Sequence, residues 1–162
     1  MRDPDRSRNA RLLSLVGIAA IAGIGVFAFF ARRSVTVEQV QPDAALQRFA
    51  EIRNRLPWTE PILHVDAAGV VTRREAPPDG ETPHATRLHV LAYRAPQGRL
   101  VRAAASFWFL KVKGPAVQYA LRDTGLDLER LGVTPADLER YGACLVLDET
   151  RRNGDRLLVW TE

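Results

Sequence analysis

The longest unbroken hydrophobic pattern lies near the start of the chain. Leu12 to Ala31 reads LLSLVGIAAIAGIGVFAFFA, with no charge, no proline and one weakly polar residue, Ser14. These 20 residues, as a helix, span about 30 Å, the thickness of a bilayer core, with every backbone group satisfied internally. A helix apolar on every face does not suit a half-buried place in a globular core. The pattern predicts a single transmembrane helix over 12–31, a basic tail over 1–11 and a folded domain over 34–162. A cleaved secretory leader is the rival, since the start is basic and Val26-Phe27-Ala28 resembles a small-residue cleavage pattern. The run is longer than a usual leader core, however, and Phe29-Phe30 carry it to Arg32-Arg33, a stop-like boundary.

Beyond Ser34 the periodicity shortens. VTVEQV, Val35 to Val40, reads as a strand. From Pro42 or Asp43, apolar residues recur at Leu46, Phe49, Ile52 and Leu56, the spacing of an amphipathic helix that Pro57 must end. Pro61 to Val65 and Val70 to Arg74 read as two strands around a turn at Asp66 to Gly69. EAPPDGETPHAT, Glu75 to Thr86, has the composition of a loop. Arg87 to Arg94 alternates as a strand, with Leu88, Val90 and Ala92 on one face and His89 on the less buried one. After a turn at Ala95 to Gly98, the β-like run Arg99 to Val112 is apolar on both sides. It predicts a long central strand with Trp108 in the core. Gly114-Pro115 breaks that run, and AVQYALR after it favours a short helix.

DLERLG at Asp127 to Gly132 is echoed by DLERYG at Asp137 to Gly142. Thr134, Pro135 and Asp137 suit the N-cap, N1 and N3 positions, and each glycine suits a left-handed C-terminal cap. Two short capped helices in series are expected, either as a connector or as a docking surface. The last two strands, Cys144 to Glu149 and Arg156 to Thr161, flank Asn153-Gly154. That dipeptide predicts a two-residue type I′ hairpin turn. Together these elements give an α+β fold, with one mainly antiparallel sheet packed by short helices on one face.

Charge changes the picture in one respect. The net charge is +4, which alone would admit a nucleic-acid binder. Six arginines against Asp3 and Asp5 precede Ser34, so the whole excess flanks the apolar run. The remaining domain carries seventeen residues of each sign. A neutral domain lacks the basic field that phosphates require, so no nucleic acid is expected as a partner. Four arginines before the run against two after it place the N-terminus inside and the domain outside a bacterial inner membrane. Ala19 and Gly23 form a small-xxx-small pair of the kind that lets two helices approach.

The chemistry-bearing residues are sparse. Cys144 is the single cysteine, so no intrachain disulfide or cysteine zinc cluster can form, and its apolar strand suits a buried, inert thiol. His64, His84 and His89 show no metal-ligand spacing. Asp148, Glu149 and Asp155 gather near the last hairpin, where a solvated tip is expected rather than a carboxylate site. Ser106 lies outside any nucleophile elbow. Trp58, between prolines, is the tryptophan expected to be exposed, as a partner anchor or at the headgroup layer. No catalytic, cofactor-binding or metal-binding residue is assigned, and no cofactor is expected. The pattern favours a membrane-anchored binding or accessory module with the lipid bilayer, and an envelope protein, as partners. A membrane-tethered hydrolase with a site assembled from His64 or His89 and a carboxylate is the alternative. A secreted binding domain follows if the leader is cleaved.

Overall fold

The computed structural model describes residues 35–56, 60–66, 68–74, 84–112, 121 and 124–162. The apolar run, the Ala19/Gly23 pair, Trp58 and most of AVQYALR lie outside the described residues. Among the described residues no helix is long and apolar enough to cross a membrane.

Ser34–Glu162 forms one compact unit. Among its described residues there are seven strands, β1 (Val35–Gln39), β2 (Leu63–Val65), β3 (Val71–Arg73), β4 (Arg87–Arg94), β5 (Arg99–Ser106), β6 (Cys144–Thr150) and β7 (Arg156–Thr161). They build one sheet in the order β1-β5-β4-β7-β6-β2-β3. Every pairing is antiparallel except β2 with β6, which is parallel, with Leu63 opposite Leu147. Among the described residues the helices are α1 (Pro42–Arg55), α2 (Phe107–Val112) and α3 (Pro135–Arg140). The fold is α+β.

Helices cover both faces of the sheet, not one. Alternation sends Leu88, Val90, Ala92, Val101, Ala103, Leu157 and Val159 to one side. There they pack with Phe107 and Leu110 of α2, Leu138 of α3 and the intervening Leu121, Leu126, Leu131 and Val133. The other side collects Leu91, Tyr93, Leu100, Leu145, Leu158 and Trp160 against Ala45 and Phe49 of α1. A β-bulge between Leu145 and Leu147 shifts the phase of β6, so that Val146 and Leu147 share the first face. The same shift turns Asp148 toward α1, where it meets Arg53 at 3.5 Å.

Helix α1 starts with Pro at its first turn and stops at Leu56, as the flanking prolines require. Its buried face runs through Ala45 and Phe49 rather than Leu46, which is 46% exposed. An alanine at the contact lets the helix axis approach the sheet closely.

Three further expectations are corrected. The run from Arg99 is not one strand: β5 ends at Ser106 and α2 begins at Phe107. Phe107 and Leu110, three residues apart, both reach the core from a helix, so packing outweighs the β-propensity of the aromatics. The opposite side of α2 faces solvent, and Trp108 is 70% exposed instead of buried.

The first DLER repeat is a single turn, not a helix. The Leu131 N–H donates to Asp127 O at 3.2 Å and the Val133 N–H to Leu128 O at 3.1 Å. Gly132, at φ +64°, closes the turn in the left-handed region. Only the second repeat is helical. Its capping box is complete, with Thr134 Oγ1 accepting from the Asp137 N–H and Asp137 accepting from the Thr134 N–H.

The last hairpin closes with a three-residue loop. The Arg151 N–H donates to Asp155 O at 2.8 Å and the Gly154 N–H to Arg151 O at 3.0 Å. A type I′ turn needs positive φ at two central residues, and here only Gly154 has it, at +83°. Asn153 instead spends its side chain on Asp155, accepting from the Asp155 N–H and donating to the Asp155 carboxylate, both at 3.1 Å.

Candidate functional site

The thiol of Cys144 opens β6 and is 4% exposed. Its Sγ lies 3.3 Å from Thr161 Oγ1, on the neighbouring strand β7. The Cys144 N–H donates to that hydroxyl, and the hydroxyl donates to Gly142 O at 2.6 Å. Burial pushes the thiol above its ordinary range, and the contact with Thr161 opposes this only in part. A desolvated, protonated thiol is a poor nucleophile.

The histidines are dispersed. His64 lies exposed on β2, and His84 lies exposed before β4. From β2 to β4 is three strand spacings, about 14 Å. His89 is not on an open face: it is 8% exposed, because the sheet face it shares with α1 is filled beside it by Trp160. The two rings stack with centroids 5.1 Å apart. His89 Nε2 sits 2.8 Å from Glu162 Oε1 but makes no hydrogen bond among the described residues. Burial lowers the pKa of His89 first. Glu162 opposes that shift, while Arg102 and Arg87 add to it.

The three carboxylates near the hairpin do not converge. Asp148 pairs with Arg53, and Glu149 pairs with Arg151 at 3.1 Å. Asp155 is 6% exposed rather than solvated. It accepts from the Ala95 N–H at 2.9 Å and from Arg94 at 3.0 Å. Burial pushes the Asp155 carboxyl up, but the bonds from Ala95, Arg94 and Asn153 outweigh it and hold the pKa below the usual range. Among the described residues no three His, Cys, Asp or Glu side chains group as metal ligands.

What the fold does assemble is an apolar cleft of about 840 Å³ between the end of α2 and residues 125–136. Leu128 is half-buried in it, the core residues Leu110, Leu121, Leu126 and Val133 lie beneath its surface, and Lys111, Asp127, Glu129 and Arg130 edge it. Arginines pin its wall to the sheet. Arg151 donates to Gly125 O at 3.3 Å, and Arg73 donates to Gly132 O. Thr124 Oγ1 ties the chain entering the wall by donating to Leu121 O and accepting from the Leu126 N–H. Lys111 and Glu139 form an ion pair that holds α2 beside α3. The volume is that of a small-molecule or peptide side-chain site, and an apolar lining with a mixed-charge rim suits an uncharged or amphipathic ligand.

The sequence reading missed this cleft. Its signal is the spacing of Leu126, Leu128, Leu131 and Val133 through a segment with no helix long enough to bury them all. The capped turn turns Leu131 and Val133 inward and leaves Leu128 half-buried at the cleft. Comparison with protein-family models, curated proteins and solved structures finds no match for this chain.

Proposed function

We propose that the chain is a single-pass protein of the cytoplasmic membrane whose α+β domain lies outside the cytoplasm. The domain serves as a binding or accessory module, with an envelope protein as its partner. The anchor rests on the uncharged run Leu12 to Ala31 and its flanking arginines. The binding role rests on the cleft of about 840 Å³ beside α2, whose wall is fixed by backbone-directed arginines rather than left to close.

The hydrolase alternative would draw on the close approach of His89 to Glu162. The His89 ring is stacked against Trp160, and it lines neither of the two cavities that border the Leu126–Leu131 wall. The binding role is therefore the better account of the surface the domain presents.

The test places a photo-crosslinking residue at Leu128 in the full chain in native membranes, with Arg48 on the solvent side of α1 as the control. A discrete adduct from position 128 and none from position 48 is the expected result. Equal or absent adducts at both positions refute the cleft as the binding surface.

A further inference from the structure

The exposed side of α2 is unusual for a small domain. Trp108 is 70% exposed and Val112, one turn later, is 55% exposed, so the two share the face opposite Phe107 and Leu110. Val37, on the side of the sheet that α2 covers, is 44% exposed. Strand pairing fixes where this face lies. β1 pairs with β5 antiparallel, with Val35 opposite Ala103. β1 therefore enters the sheet from the end at which β5 leaves it for α2. Arg87 stands at the same end, opposite Ser106.

The chain outside the described residues ends there too. Four peptide units separate Ala31, the last residue of the apolar run, from Val35, and they reach at most about 14 Å. If the run is embedded, Val35 is held within that distance of its end, and the end of the sheet where β5 passes into α2, with Trp108, Lys111 and Val112, is the end nearest the bilayer. Tryptophan beside Lys and Arg is the composition of a membrane–water interface, where an amphipathic ring sits at headgroup level. The patch is too small to hold a free protein on lipid. A tether supplies the effective concentration that a weak contact needs.

We propose that the Trp108–Val112 face of α2 rests on the surface of the bilayer that holds the anchor, with Trp108 in the headgroup layer. The proposal depends on the membrane-anchor reading above. The contact fixes the domain's tilt and leaves the side of the sheet covered by α1 turned away from the lipid.

The test uses the full chain reconstituted in vesicles of phosphatidylcholine and phosphatidylglycerol whose headgroups carry a nitroxide. In a Trp58→Phe background, Trp108 and the buried Trp160 remain. The nitroxide should quench a large part of the emission, and Trp108→Phe should abolish that quenchable part. Independently of the tryptophan background, Val112→Cys labelled with an environment-sensitive dye should shift to the blue and be quenched. Leu46→Cys on α1 should do neither.

Carbonate extraction separates the two ways of failing. A chain that resists carbonate but shows the same quenching with and without Trp108, and no response from position 112, overturns the surface contact and spares the anchor. A chain released by carbonate overturns the anchor, and the contact with it.

Discussion

Replacement of Asp155 should be among the most damaging single changes in the domain, although it sits next to a hairpin loop. Its carboxylate binds three groups on two pieces of chain: the Ala95 N–H just past β4, the neighbouring Arg94 guanidinium and the Asn153 amide of the hairpin loop. Asp155→Ala removes all three bonds and leaves the N–H of Ala95 facing the space of the lost carboxylate. Hydrogen bonds to a charged group contribute about 1.5–3 kcal/mol each. Breaking a buried ion pair from one side costs about 3–5 kcal/mol. Arg94 is 23% exposed and Asn153 is exposed, so water compensates both in part. That places Asp155→Ala near 3 kcal/mol, at the low end of these ranges. Asp155→Asn keeps the shape and one acceptor and should lose about half of that.

The pH dependence has a definite sign. The folded-state pKa of Asp155 lies below its unfolded value, so the unfolded chain binds the proton more tightly. Its contribution is then complete above the unfolded pKa of about 3.9 and is lost as pH falls through the lower, folded value. Urea unfolding of the full chain in detergent, followed by near-UV circular dichroism from pH 7 down into the acid range, measures both effects. A midpoint for Asp155→Ala within about 0.5 kcal/mol of the parent would refute the role assigned to this carboxylate, since that is the scale of an ordinary surface change.

The remaining expectations concern three other positions. Gly154→Val should cost at least about 1–2 kcal/mol in the same titration, because φ is +83° and a Cβ would come 3.1 Å from that of Ala95; an unchanged midpoint would reject the loop geometry. Cys144 should react with a thiol reagent only at the rate of domain opening, and labelling within seconds under native conditions would show that the strand is not closed over it. His89 is held neutral by burial, with a folded-state pKa below 6.5, so the unfolded chain takes up the proton first. Stability should fall as pH drops below about 6.5, and His89→Gln should flatten that slope; an identical slope in the variant would place the titrating group elsewhere.

The elements legible in the sequence were those bounded by residues with one conformational meaning. The bounds of β4, Arg87–Arg94, follow from the sequence because Ala95-Pro96-Gln97-Gly98 is a turn. Pro42 and Pro57 bracketed α1, and Thr134, Pro135 and Asp137 marked α3. The failures share a cause, which is that local pattern does not say what covers a face. The alternation puts His89 in the correct phase, opposite Leu88 and Val90, but that second face is packed by α1 and Trp160. The run through Phe107 to Val112 has β-prone residues. Only the position of the core beneath the sheet shows why Phe107 and Leu110 meet it from a helix. Asp155 looked like a loop carboxylate because its partners, Arg94 and Ala95, lie sixty residues away in sequence. The cleft was illegible for the same reason: its wall is held by Arg73 and Arg151, which no local window joins to Gly132 and Gly125.

The strand order sets a sequence of events for a chain emerging from the ribosome. β7 follows the other six described strands in the chain, yet it occupies the middle of the sheet, joining β1-β5-β4 on one side to β6-β2-β3 on the other. Until Arg156 to Thr161 are delivered, the two halves share no strand, and Leu158 and Trp160 are missing from the floor beneath α1. β1 waits for β5, and β2 waits for β6 more than seventy residues downstream. Three local hairpins, β2/β3, β4/β5 and β6/β7, are joined into one sheet only by the late, long-range pairings of β1, β2 and β4, the kind of topology that folds slowly and exposes apolar intermediates. A nascent chain of this kind must be kept from aggregating until β7 has been made, and loss of Arg156 to Thr161 would disconnect the whole sheet rather than fray its edge.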